Sequence, residues 1–115
     1  MKLGMEFWID YAHSLEGFSK CYGKHGHTAK VIIEIEGDVK GGNEFEENIL
    51  LQFEKMEEKC KRVLDTLDHQ DLNEIFEHPT TETIVNWIFE KLSEMLPVSR
   101  VTFFEGRGKW ATVES

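Results

Sequence analysis

The chain has 115 residues, of which 40% are apolar and 30% charged, with two prolines and two cysteines. That suits one globular domain over residues 1–115, with a core small enough for a metal or a partner subunit to matter. A formal charge of −9 argues against a nucleic-acid or anionic-membrane surface, since both need a basic face. Two cysteines make no disulfide framework, the N-terminus lacks the apolar run of a signal peptide, and no apolar stretch reaches membrane-spanning length. A reduced, cytoplasmic protein is expected.

Residues 2–13 alternate. Leu3, Met5, Phe7, Ile9 and Tyr11 share one face, while Lys2, Gly4, Glu6, Trp8 and Asp10 share the other. This is the pattern of a half-buried strand, and its apolar face ends at His13. Residues 14–24, with Gly17 and Gly23, read as a loop. Residues 25–36 alternate again, and the face of Ala29, Val31, Ile33 and Ile35 runs back to His27 and His25. Gly37 to Asn43 is turn-rich.

From about Glu46 the period lengthens. Phe45, Ile49, Phe53, Met56, Cys60, Val63 and Leu67 recur at three- or four-residue spacing, predicting an amphipathic helix of roughly five turns. Residues 67–73 read as its exit. Pro79-Thr80-Thr81 announces a second helix with a threonine N-cap. Its buried stripe is Ile84, Val85, Ile88, Leu92 and Met95, and Pro97 stops it. Val101 and Phe103 lead to Glu105. Gly106-Arg107-Gly108 then turns into a last strand, Lys109 to Val113. The order strand, strand, helix, helix, strand, strand predicts an α+β fold: a four-stranded antiparallel sheet with both helices on one face.

Three histidines finish the apolar faces of two neighbouring strands. If those strands pair antiparallel, His13, His25 and His27 converge at one sheet end. His25 and His27 alone lie about 6.6 Å apart along a strand, close enough to reach one ion. Three imidazoles suit zinc and leave a fourth position open, as in catalytic sites. Cys21, four residues before His25, is either a small buried hydrophobe or, beside a dication, a thiolate base or nucleophile. Cys60 belongs to the helix stripe. Asp68-His69 reads either as a helix exit, with His69 near the negative helix end, or as a carboxylate orienting an imidazole that moves protons; spacing alone favours the exit. Thr80, Thr81 and Glu82 are explained by capping and the helix dipole. Glu105 stands where an apolar residue is expected and wants a partner, such as a planar two-donor edge on a ligand.

These pieces resemble the 6-pyruvoyltetrahydropterin synthase and 6-carboxytetrahydropterin synthase family. The resemblance is carried by Ala12-His13-Ser14-Leu15, Cys21 with His25-Gly26-His27, Leu67-Asp68-His69-Gln70-Asp71-Leu72-Asn73, Pro79-Thr80-Thr81-Glu82 and Glu105. It implies the tunnelling fold, ββααββ, in which trimers close their sheets into a barrel and two trimers stack as a homohexamer with active sites between subunits. It implies that His13, His25 and His27 bind zinc (Zn2+), that Cys21 is the general base, and that Asp68 and His69 relay protons. Glu105 would grip a pterin edge, with Thr80, Thr81 and Glu82 lining the pocket. The implied substrate is 7,8-dihydroneopterin triphosphate. The three-residue gap between Cys21 and His25 resembles the carboxy branch, a lyase that forms 6-carboxy-5,6,7,8-tetrahydropterin, releases acetaldehyde and triphosphate, and serves queuosine or archaeosine synthesis. The alternatives are the pyruvoyl synthase, which loses only triphosphate, and a non-catalytic pterin- or zinc-binding member of the fold. Three positions depart from the family pattern: Ile9 replaces an aromatic, Gln52 an acidic residue, and Gly106 the threonine that often follows the glutamate.

Overall fold

A computed structural model describes residues 1–17, 23–39, 41 and 49–115. Strands β1 (Lys2–His13) and β2 (His25–Glu36) pair antiparallel along their whole length, from Lys2 opposite Glu36 to His13 opposite His25. Because side chains alternate, this register puts the odd-numbered residues of both strands on one face. There Ile9, Tyr11, Ala29, Val31, Ile33 and Ile35 are buried.

Helix α1 (Phe53–Leu64) contributes Met56, Cys60, Val63 and Leu64 to that core. Helix α2 (Thr81–Ser93) contributes Ile84, Val85, Ile88 and Leu92. Each large aliphatic side chain removed from water stabilises by about 1.5–3 kcal/mol. Strand β3 (Gln70–Asp71) precedes α2, and β4 (Val98–Glu105) and β5 (Trp110–Glu114) follow it. The sheet order is β3-β1-β2-β4-β5. Both helices share the core face, as expected. The other face is open: Trp8 and Trp110 are exposed, Lys30 Nζ sits 4.6 Å above the Phe104 ring, and Arg100 bridges Glu34 and Glu114. Among the described residues no helix is long and apolar enough to cross a membrane.

The structure differs from the sequence expectation in three places. The first helix begins at Phe53 rather than near Glu46, and residues 49–52 are not helical; Phe45 and Glu46 lie outside the described residues. Leu50 instead reaches over the sheet end to Gly37, so closely that a methyl group on the Gly37 Cα would stand 2.7 Å from Leu50 Cδ1. Packing onto the sheet outweighs helical propensity there. Second, the expected helix exit contains β3, which runs parallel to β1 with Gln70 opposite Tyr11 and Asp71 opposite Ala12. The sheet is therefore five-stranded and mixed, not purely antiparallel. A two-residue strand is too short to show a period. Third, the last strand spans Trp110–Glu114, one residue later than expected. Lys109 is spent on closing the turn, where its carbonyl accepts from the Glu105 N–H at 3.0 Å. Gly106 and Gly108 supply the positive φ values of 69° and 75° that this turn requires.

Asn73 fastens the segment after β3 to the end of β1. Its Oδ1 accepts from the Ser14 N–H at 2.8 Å, and its Nδ2 donates to the Ser14 carbonyl at 3.0 Å. Asn73→Ala leaves both backbone groups unpaired and is expected to cost about 2 kcal/mol; urea unfolding monitored by circular dichroism measures the loss.

Candidate active site

The β1–β2 register is what assembles the histidines. His13 and His25 are directly opposite, and His27 lies opposite Tyr11 on the same face. The ring centroids are 4.5 Å (His13–His25), 5.1 Å (His13–His27) and 4.8 Å (His25–His27) apart. One ligating atom from each falls within 4.8 Å of the others.

The outward nitrogens set the tautomers. His13 Nδ1 lies 2.8 Å from the Pro79 carbonyl, and His25 Nδ1 lies 2.8 Å from the Gly23 carbonyl. A carbonyl only accepts, so each Nδ1 carries the proton and each Nε2 presents a lone pair. His13 Nε2 and His27 Nε2 are buried and have no hydrogen-bond partner among the described residues. Orphaned buried nitrogens cost about 1–3 kcal/mol each unless something fills the site. Two carbonyl-anchored imidazoles converging with His27 fit a zinc ion, whose histidine ligands are commonly held in this manner.

Glu105 ends β4 opposite Ala29, next to His27 on β2. Its Oε1 is 3.6 Å from His27 Nε2, and its Oε2 accepts from the Thr81 hydroxyl at 2.7 Å. Burial lowers the His27 pKa most; Glu105 opposes this, while His13, His25 and Lys109 add to it. His27 is therefore neutral and ligand-ready at neutral pH, and its approach to Glu105 is not an ion pair. Thr81, Glu82, Glu105, Lys109, Trp110 and Ala111 line a cleft of about 310 Å³. Thr80 is occupied elsewhere: it caps α2, its Oγ1 accepting from the Thr83 N–H at 3.1 Å.

Asp68 and His69 form a separate cluster with Asp10. Asp68 Oδ1 accepts from the Asp10 N–H at 2.8 Å and lies 3.1 Å from His69 Nδ1. His69 Nε2 is 3.8 Å from Asp10 Oδ2, and the ring is 76% exposed. His69 has a φ of 59°, an unusual value outside glycine, held by its N–H donating to the Asp10 carbonyl at 2.6 Å. Asp10 sits on the open face of β1, so within one chain this pair is not brought to the three histidines. Cys21 lies outside the described residues. Cys60 is fully buried, and burial pushes its thiol up to about 12, so it is an inert core residue. Lys24 pairs with Asp71 at 2.7 Å and fastens the loop end.

Sequence reasoning missed Tyr11, Asp10 and Lys109 and the carbonyls of Pro79 and Gly23. Backbone acceptors carry no residue signature, and Tyr11 reads as one more apolar position of a strand. The Tyr11 ring packs against His13, His27 and Phe103 at 5.3, 5.5 and 5.8 Å.

The sequence profile of the family described as 6-pyruvoyl tetrahydropterin synthase matches residues 2–115, and the chain belongs to that family. A protein of Archaeoglobus fulgidus, provisionally named a 6-carboxy-5,6,7,8-tetrahydropterin synthase, is 38% identical over 114 residues, covering 98% of this chain and 95% of its own. The dihydroneopterin monophosphate aldolase of Pyrococcus furiosus is 35% identical over 86 residues, covering 71% of this chain and 70% of its own. The solved structure of Caenorhabditis elegans 6-pyruvoyl tetrahydropterin synthase superposes with a TM-score of 0.88, covering 100% of this chain and 95% of that one. At 23% identity that likeness speaks for the fold alone.

Metal and protons compete for the same Nε2 lone pairs, so zinc loading rises with pH. Zinc measured after dialysis in steps from about pH 8 to pH 5 is expected to stay bound at neutrality and to leave through the histidine range. His27→Ala is expected to weaken zinc binding roughly tenfold or more, read by metal analysis.

Proposed function

We propose that this protein is a zinc-dependent lyase that converts 7,8-dihydroneopterin triphosphate to 6-carboxy-5,6,7,8-tetrahydropterin, with release of acetaldehyde and triphosphate. The observation that carries this reading is the convergence of three imidazole lone pairs beside a carboxylate held by a threonine. The near full-length likeness to the Archaeoglobus protein supports the carboxy branch.

In this reading His13, His25 and His27 hold the ion. Zinc, when bound, supplies a Lewis acid that polarises the substrate's side-chain hydroxyls and eases their deprotonation. Glu105 accepts from the 2-amino and ring N–H donors of the pterin, with Thr81 fixing its second oxygen and Glu82 at the cleft rim. Cys21 is the general base. Asp68 orients His69 through Nδ1, leaving Nε2 to carry the proton. The exposure of His69 and its place on the far side of β1 support a role in a neighbouring copy's site. That agrees with a homohexamer of two stacked trimers. β3 covers β1 only at Tyr11 and Ala12, and barrel closure would pair the remaining edge.

A second reading, aldol cleavage of dihydroneopterin monophosphate, is favoured by the Pyrococcus relative. Product analysis separates the two. The zinc-loaded protein is expected to release acetaldehyde from the triphosphate. A pyruvoyl product without acetaldehyde would identify the pyruvoyl branch. Consumption of the monophosphate alone, with a phosphorylated two-carbon aldehyde, would identify the aldolase.

His69→Gly relieves the positive φ while removing the proton carrier. Turnover is expected to fall about 10²–10⁴-fold with stability within about 1 kcal/mol of the parent; steady-state kinetics and thermal melts check both.

A further inference from the structure

Tyr11 is the member of this site to which the proposed reaction assigns nothing. It is 4% exposed, and its hydroxyl is buried with no hydrogen-bond partner among the described residues. Buried tyrosine hydroxyls ordinarily find a partner, because an unpaired one keeps its full desolvation penalty. An apolar ring would fill the same space without that penalty. The hydroxyl therefore points to a partner that the described residues do not supply.

Register shows where the ring goes. Tyr11 is on β1 opposite His27 of β2, yet its ring meets Phe103 of β4, on the far side of β2, at 5.8 Å. Ala29 is directly opposite Glu105. The Tyr11 ring thus lies near the histidines and near Phe103, two residues before Glu105 on β4. A neutral phenol there is a donor beside a carboxylate that is an acceptor.

We propose that the Tyr11 hydroxyl is a specificity-determining group of the substrate pocket: it donates to the ring carbonyl adjoining the N–H edge that Glu105 grips. The inference rests on the pterin reading of the site. The pair reads a donor–donor–acceptor edge, with the two ring-side N–H groups going to Glu105 and the carbonyl oxygen to Tyr11. Heterocycles with that edge satisfy both side chains. A ring with an amino group in place of the carbonyl carries no proton on the adjoining ring nitrogen, so Glu105 loses one of its two donors and the phenol must accept rather than donate.

The test measures binding of neopterin to the zinc-loaded protein by its fluorescence, for the wild type, Tyr11→Phe and Glu105→Gln. Zinc content and melting temperature are read on the same samples. Tyr11→Phe is expected to keep its zinc and to melt at or above the wild-type temperature, because it deletes a hydroxyl with no partner among the described residues. Its neopterin Kd is expected to rise about 5–50-fold, and in turnover KM is expected to rise with kcat nearly unchanged. A Tyr11→Phe protein that binds neopterin within twofold of the wild type overturns the inference while Glu105→Gln still weakens binding, and the pterin reading then stands. Parallel loss of zinc, melting temperature and affinity in Tyr11→Phe overturns it too, by showing a structural role. A wild type with no affinity for neopterin overturns the pterin reading and the inference with it.

Discussion

One cross-strand pairing governs this protein: His13 opposite His25 at the end of a twelve-residue antiparallel ladder. A one-residue slip would send the histidines to opposite faces and the apolar residues of one strand to solvent. The hydrophobic core therefore enforces the register, and the register assembles the site. Val31, Ile33 and Ile35, all fully buried, hold the imidazoles together from further along the same strand.

Among the described residues the site is left incomplete. Two histidine nitrogens and one phenol are buried without partners among the described residues, each a cost to the folded protein. What surrounds them is well satisfied: His13 and His25 are tied to carbonyls, Glu105 to Thr81, and Thr80 caps α2. Rigid surroundings with unsatisfied atoms at the centre describe a site shaped for an ion and a polar ligand. Asp68 and His69 follow the opposite logic. His69 is exposed, and a backbone at positive φ holds it outward.

Membership of the 6-pyruvoyl tetrahydropterin synthase family makes the three departures informative. Gly106 stands where the turn after β4 runs through a positive φ, which glycine adopts without strain. Gln52 precedes α1 without a side-chain capping bond. Ile9 is buried in the core. All three lie outside the histidine cluster, so the departures leave its ligand set intact.

The sequence by itself determined both long strands, the face each buries, the second helix with its threonine cap, and the three histidines as a converging set. Periodicity and capping chemistry are local and show in the order of residues. The tertiary structure alone decided where the first helix begins, because Leu50 is claimed by the sheet end at Gly37. It alone decided that two residues after α1 add a parallel strand, and that the Tyr11 ring meets Phe103 of β4. Those outcomes depend on which segments meet across the chain, and contacts between distant residues leave no period to read.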